Sequence, residues 1–366
     1  MSYVLGVSVS HDASACLMRD GEILFAIQEE RVSRIKHDGN RYLSQTRAID
    51  YCLQAAGITI DDVELIVING QQLTHGYAGL SVPWPDADFQ LFDPFSEKCL
   101  YISHHLAHAF SAFGPSPYEA AAVMVVDGMG SNTPLGKDLV LTGPEMRRYL
   151  TAPHAEPHKS ESESYYLFEN GTYRLLDRVH SGSFNVRAGS QAVGEAYAAI
   201  SQYIFGDWRE SSKVMALASL GDASRYPWKI IEITPEGPKL NRNWQLQFQH
   251  PNRWPDNQTE YRDLAARIQQ DLEEYLVWRA EKLAGQTGQP NLCLAGGVIL
   301  NVPGNQKIIE SGAFANVYIQ PAAHDAGISL GCAFYGHYHL KGELTGTHVR
   351  NDFHGRAYDE AEILAV

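Results

Sequence analysis

In ISHHLAHAFSAF, residues 102–113, His104 and His108 stand four apart, and in PAAHDAGISLG Asp325 opens a run of small residues. On a helix, positions four apart share a face, so two imidazoles can meet one cation while His105 points about 100° away. Imidazole suits iron, zinc or nickel, and two such ligands call for a third, a carboxylate completing the two-histidine, one-carboxylate arrangement. Asp325, in a turn between the apparent strand NVYIQ and a small-residue helix, is the candidate. The plainer alternative is a packed helix with two ordinary histidines and an aspartate that caps the helix following it.

Two glycine turns offer backbone N–H groups to an anion or a nucleotide: VDGMGS (126–131) and LAGGVILN (294–301). Neither matches the Walker A or GxGxxG pattern, and each taken singly reads more readily as a tight strand-to-helix turn than as a nucleotide site. His11 and Asp12 follow the first strand, and Arg31, Arg34, Lys36 and His37 follow the second run. Such a group binds phosphate or polarises a carbonyl, or it is a solvated charged turn. Lys213, in SSKVMALASLGD, reads as a cation left to solvent.

These residues need elements to hold them. YVLGVSVS predicts a strand, HDAS a turn, and ACLMRDGEILFAIQEER two alternating runs joined by a tight turn at Arg19-Asp20-Gly21. The helical period in LSQTRAIDYCLQAAG ends at Gly57, and DDVELIVING supplies a buried strand, so the first lobe is α/β. EAAAVMVVDGMGSN repeats the opening strand and turn, a pairing found once per lobe in two-lobed nucleotide-binding folds of the actin and sugar-kinase type. Residues 132–164 are polar, proline-containing and poorly periodic, and predict an exposed, mobile loop. Beyond it GSQAVGEAYAAISQYIFG, SSKVMALASLG and YRDLAARIQQDLEEYLVWRAEKLAGQTG predict helices, and PNLCLAGGVILN a buried strand breaking into a turn.

With 366 residues, 44% of them hydrophobic, the chain can fill two medium cores; single cores seldom grow past roughly 250–300 residues. Lys and Arg number 29 against 43 Asp and Glu, a net charge of −14 that opposes binding to phosphate backbones and excludes nucleic acid as a partner. The 5 cysteines are scattered without CxxC spacing, which fits neither a disulfide framework nor a thiolate zinc site. There is no basic flank with a long apolar run at the start and no membrane-spanning stretch, so a cytoplasmic protein is expected.

Taken in order, SVSHDASACLMRDGEILFAIQEERVSRIKHDG, SHHLAHAFSAF, AAVMVVDGMGS, ESESYYLFENG, SSKVMALASLGD, LAGGVILNVPGNQKI and VYIQPAAHDAGISLG resemble the O-carbamoyltransferases of antibiotic and nodulation-factor biosynthesis, from about residue 4 to 337. The large domain of that family is also similar to the threonylcarbamoyl-transfer enzymes of tRNA modification. The resemblance implies an α/β, actin-like (sugar kinase/Hsp70-type) fold of two lobes with a central nucleotide and metal cleft. The first lobe would cover residues 1–117, the second 118–344 with the mobile loop 132–164 inside it, and a tail 345–366 would resemble the linker to a missing domain. It implies a transferase moving a carbamoyl group from carbamoyl adenylate to a hydroxyl of a small-molecule natural product, with AMP leaving. A divalent metal, usually iron as Fe(II), would sit on His104, His108 and Asp325. Asp127, Gly128 and Gly130 would form the phosphate-facing turn, and Gly296, Gly297 and Asn301 the adenosine side. His11 and Lys36, matching the HDA and KHD segments, would lie near the carbamoyl group and acceptor, His11 as general base.

Family members continue for roughly a further domain, similar to threonylcarbamoyl-adenylate synthase, that makes carbamoyl adenylate. The tail FHGRAYDEAEILAV resembles the connection to it, so a separate carbamoyl-adenylate-forming protein or domain is an expected partner, and the family's habit allows a homodimer. Two departures are the long 132–164 segment and His324, which stands where glycine is common beside the metal aspartate. Two other classes stay open: an actin-like ATP-dependent phosphotransferase or nucleotidase, and a non-catalytic nucleotide-binding partner subunit.

Overall fold

The computed structural model describes residues 2–39, 47–70, 91–133, 136–151, 159–181, 192–235, 237–241, 243–248, 254–344, 349 and 351–364. In chain order its strands are β1 (Tyr3–Val9), β2 (Ser14–Arg19), β3 (Glu22–Gln28), β4 (Leu65–Gly70), β5 (Cys99–Ile102), β6 (Ala121–Val126), β7 (Asn132–Thr133), β8 (Val140–Thr142), β9 (Lys159–Glu169), β10 (Thr172–Ser181), β11 (Ile231–Thr234), β12 (Gly237–Leu240), β13 (Asn291–Ala295) and β14 (Asn316–Ile319). The helices are α1 (Glu29–Ser33), α2 (Arg47–Ala56), α3 (His104–Phe113), α4 (Gly143–Thr151), α5 (Val193–Phe205), α6 (Ser211–Ala218), α7 (Trp244–Gln247), α8 (Gln258–Thr287), α9 (Val302–Ser311), α10 (Ile328–Lys341) and α11 (Glu360–Leu364). They fall into two compact units. One comprises Met1–Glu119, Asp138–Glu156 and Gln320–Val366, the other Ala120–Lys137 and Pro157–Ile319.

The first unit is built on a sheet in the order β3-β2-β1-β4-β5-β8. β1, β2 and β3 are antiparallel neighbours, while β4 runs parallel to β1 and β5 parallel to β4. The turn between β2 and β3 has positive φ at Asp20 (50°) and Gly21 (92°), the conformation for which an Asp-Gly pair is suited. β1 is buried on both faces, so its residues read as a continuous apolar run rather than an alternation. Leu5, Val7 and Val9 pack with Ile49, Cys52 and Leu53 of α2; burying such a side chain is worth about 1.5–3 kcal/mol. On the opposite face Gly6 lies against α10: a Cβ there would stand 2.0 Å from Ser329 O.

The same helix needs glycine on its other side, where a Cβ on Gly331 would lie 1.8 Å from Ala107 O of α3. Because α10 is thus held between β1 and α3, residues 320–344 belong to the first unit and not to a continuous second lobe of 118–344. The tail joins the first unit as well: Ala26 N donates to His354 O at 2.9 Å, and Arg356 N to the Tyr51 hydroxyl at 2.9 Å.

The described residues of 132–164 are not the exposed loop that their composition predicts. Among its described residues this stretch contains β7, β8, α4 and the first half of β9. β8 pairs with β5, Tyr101 opposite Leu141, and α4 sends Met146 into the first unit's core. From Ser160 to Ser164 every residue is buried. The run looked like loop because Ser and Glu are polar, yet Glu161 pairs with Arg178 at 3.1 Å and Glu163 with Arg279 at 3.2 Å. A buried acid is tolerated when it is paired, and composition does not register the partner.

The second unit's sheet runs β10-β9-β6-β13-β14, with β7 beside β9. β6, β9 and β10 are antiparallel neighbours, β13 is parallel to β6 and β14 parallel to β13. This repeats the neighbours and directions of β3-β2-β1-β4-β5. The β9–β10 turn again has positive φ, at Asn170 (54°) and Gly171 (72°). Among the described residues no helix is long and apolar enough to cross a membrane.

Candidate functional site

β5 ends at Ile102, Ser103 is extended, and α3 begins at His104 with every one of its residues buried. The four-residue spacing does what helical geometry requires: the His104 and His108 rings face each other edge-on with centroids 4.7 Å apart. Asp325 is brought to them by the segment before α10. Gln320 donates from Nε2 to Ser111 O of α3 at 3.1 Å, and its Oε1 accepts from Ala322 N at 2.8 Å. Asp325 Oδ1 then lies 3.4 Å from His104 Nε2 and 3.6 Å from His108 Nε2. Donors ~2.1 Å from a shared ion at tetrahedral angles stand ~3.4 Å apart, so these edges fit a single cation. His105 is buried too, but its ring centroid is 6.5 Å from that of His108 and it contributes no atom to the cluster.

One residue that spacing did not reveal sets the orientation of His104. Asn69, fully buried in β4, donates from Nδ2 to Ile102 O at 2.8 Å, which leaves its Oδ1 facing His104 Nδ1 at 3.1 Å. An amide oxygen accepts, so Nδ1 of His104 carries a proton, and in the neutral ring Nε2 is the nitrogen left to bind a cation. The sequence signal was a lone amide inside the apolar run LIVING.

Burial by itself would raise the Asp325 carboxyl, but the charges of His104 and His11 and the hydrogen bonds of His104 and His108 hold it well below the usual carboxylate range. Its Oδ2 is buried without a hydrogen bond. An ionised carboxylate with an orphaned oxygen, beside two imidazole nitrogens, fits a divalent ion; the donor set suits iron, zinc or nickel alike and does not select Fe(II).

His11 stands beside this cluster, with Nε2 3.5 Å from Asp325 Oδ2. Its Nδ1 is 2.7 Å from Asp12 Oδ2, and the other Asp12 oxygen is 2.8 Å from His37 Nδ1. Burial pushes the Asp12 carboxyl up, and it is outweighed by the hydrogen bond and charge of His11, the hydrogen bond of His37 and the charge of His324, leaving it below its ordinary value. The basic segment therefore delivers His37 to this turn, while Lys36 is exposed. His324, the departure beside the aspartate, acts on Asp12 through its charge.

In the second unit the two glycine turns lie at the ends of adjacent parallel strands, where α/β sheets commonly hold ligands. Gly297 N donates to Asp127 Oδ1 at 3.0 Å. Gly296, with φ of 102°, passes so close to β6 that a Cβ would stand 2.2 Å from Val126 O. Gly128 faces open space, whereas Gly130 N is already committed to Glu161 O at 2.7 Å. Asn301 caps α9 through Gly304 N at 2.9 Å and exchanges hydrogen bonds of 2.8 and 2.9 Å with the Gln269 amide, so its carboxamide shapes the turn from within. Gly194 lies against the Asp127–Gly128 turn, and burial pushes the adjoining Glu195 carboxyl up to about 7, with the Ser181 hydroxyl pulling the other way. Lys213 pairs with Glu210 at 2.9 Å on the surface.

The family model described as Carbamoyltransferase N-terminus matches residues 3–77 and 89–334. The chain is 30% identical over 387 residues to the uncharacterized protein sll1178 of Synechocystis sp., covering 94% of this chain and 58% of that protein. It is 29% identical over 356 residues to the nodulation protein NolNO of Sinorhizobium fredii, covering 88% and 46%. The chain thus spans about half the length of these curated relatives. Among solved structures, HypF from T. kodakarensis aligns with a TM-score of 0.57 at 14% identity over 96% of this chain and 49% of that one. Full-length HypF in its phosphate- and nucleotide-bound form aligns with 0.53 at 14% identity, over 93% and 56%. At such identity the likeness speaks for the fold alone, the α/β, actin-like one.

Proposed function

This chain belongs to the carbamoyltransferase N-terminus family, and from that premise we propose that it is the transfer part of a metal-assisted O-carbamoyltransferase acting on a hydroxyl of a small-molecule natural product. The observation that carries the reading is the first unit's set of His104, His108 and Asp325, whose Nε2, Nε2 and Oδ1 atoms converge, with the His104 ring oriented by Asn69. The donor is carbamoyl adenylate, supplied by another protein or domain. The acceptor oxygen attacks the carbamoyl carbon, the bond from that carbon to the phosphate oxygen breaks, and AMP departs.

When bound at the three ligands, the ion supplies Lewis-acid charge withdrawal from the donor. His11 takes the acceptor's proton at Nε2, the ring atom turned toward Asp325. In the second unit the Asp127–Gly128 turn, backed by Gly296 and Gly297, receives the nucleotide, with open room at Gly128 for a phosphate. Lys36, exposed beside His37, offers charge to the acceptor side or the leaving phosphate.

The test combines metal analysis with turnover of synthetic carbamoyl adenylate, on the wild type and His108→Ala prepared anaerobically with Fe(II). The expected result is one equivalent of metal and AMP release dependent on a hydroxylated acceptor, both lost in the variant. Full metal binding in His108→Ala would remove the proposed centre. ATP consumed without any carbamoyl donor would move the reading to a phosphotransferase.

A further inference from the structure

We propose that Asp12 and His37 are positioning residues, forming with His11 a hydrogen-bonded relay that fixes which nitrogen of His11 carries the proton. The inference rests on the reading of His11 as the base. It starts from the turn after β1, which is clamped from outside: Ala13 N donates to Asp38 O at 3.1 Å, and Gly39 lies so close that a Cβ would stand 2.6 Å from Ser10 O. His37 is held at a φ of 56°, the left-handed region that a non-glycine residue occupies only when its surroundings require it. Its N–H is anchored on Glu30 Oε2 at 2.9 Å.

An ionised carboxylate only accepts hydrogen bonds. Asp12 uses one oxygen at 2.7 Å for His11 Nδ1 and the other at 2.8 Å for His37 Nδ1, so both nitrogens must be N–H donors. In neutral His11 the lone pair is then on Nε2, the atom beside Asp325. His37 keeps the second Asp12 oxygen occupied and so prevents the buried carboxylate from rotating away from His11. Asp12, Glu30 and His37 also lie close enough together to hold a cation. Their oxygens already accept from His11, His37 Nδ1 and His37 N–H, however, and that set of bonds positions a ring.

Two readouts test this on the full chain loaded with Zn(II). The ring 15N signals of His11, assigned by their loss in His11→Gln, are expected to show Nδ1 protonated and Nε2 bare in the wild type. In Asp12→Ala, which removes the acceptor from both rings, that pattern is expected to mix or reverse. Unchanged His11 signals in Asp12→Ala overturn the relay. In the transfer assay Asp12→Ala should lower kcat roughly 10²–10⁴-fold with KM and metal stoichiometry kept. His37→Ala should lower kcat about 10-fold, and His37→Gln, which restores an N–H donor, should recover most of the loss; equal losses in the two His37 variants count against the relay. If no donor is turned over by any form, the function reading falls and the 15N signals alone decide. A second bound zinc that disappears in His37→Ala would replace the relay by a cation site.

Discussion

The two units build sheets with the same sequence of neighbours, and each buries an acid beside basic groups, yet the two acids are left in opposite conditions. In the second unit Glu163 accepts from the Tyr275 hydroxyl at 2.8 and 2.7 Å, from the Tyr165 hydroxyl, and pairs with Arg279 Nε at 3.2 Å. Burial raises its carboxyl above the ordinary value, although Arg279 and both tyrosines pull it down. In the first unit Asp325 is held well below that range and keeps an oxygen with no hydrogen bond. Glu163 is saturated with donors and serves to hold β9 to α8. Asp325 leaves acceptor capacity beside two imidazoles, and that unspent capacity is what a cation requires.

The sharpest way to break this contrast is to open the closed acid. Arg279→Ala leaves Glu163 buried without its cation and should cost about 3–5 kcal/mol in urea unfolding at neutral pH, while metal binding per folded chain stays at the wild-type level. A loss under about 1 kcal/mol would mean that the two tyrosines suffice and that the pairing is incidental.

Glu195 is a third buried acid, raised like Glu163, and pH tests it. Its folded value, about 7, is above the ordinary 4.5, so the folded state holds the proton more tightly. Stability from this group is fully present below about 4.5 and declines as pH rises through about 7. The decline is on the order of 3 kcal/mol. Glu195→Gln should flatten the unfolding free energy across that window and gain on the wild type above pH 7; an unchanged pH slope would show Glu195 ionised in the fold at ordinary pH.

The smallest expected effect is on the open acid's support. Asn69→Ala removes the acceptor that sets the His104 tautomer and should weaken metal affinity about 10–100-fold, measured by competition with a chelator. Unaltered affinity would place the orientation of His104 in its packing within α3.

Much of the local structure was legible. The Asp20-Gly21 turn, the strand DDVELIVING, the helix ending at Gly57 and the shared face of His104 and His108 depend on side-chain period and on φ preferences of neighbouring residues. The polarity of ESES predicts a loop, because its partners Arg178 on β10 and Arg279 on α8 leave no mark on the local sequence. A glycine turn offers the Gly130 amide to an anion, whereas in the fold that amide donates to Glu161 O of β9.

Donor types and their short-range spacing follow from the chain alone: two imidazoles on one helical face, an aspartate opening a small-residue helix, glycines at strand ends. Which donors are spent and which are open follows from packing between distant segments. It placed Asn69 behind His104, set His37 rather than Lys36 on Asp12, closed Glu163 with Arg279 and left Asp325 with an orphaned oxygen. The reason is that a helix period is a property of adjacent residues, whereas a buried hydrogen bond goes to whichever group sheet register and helix packing bring within about 3 Å.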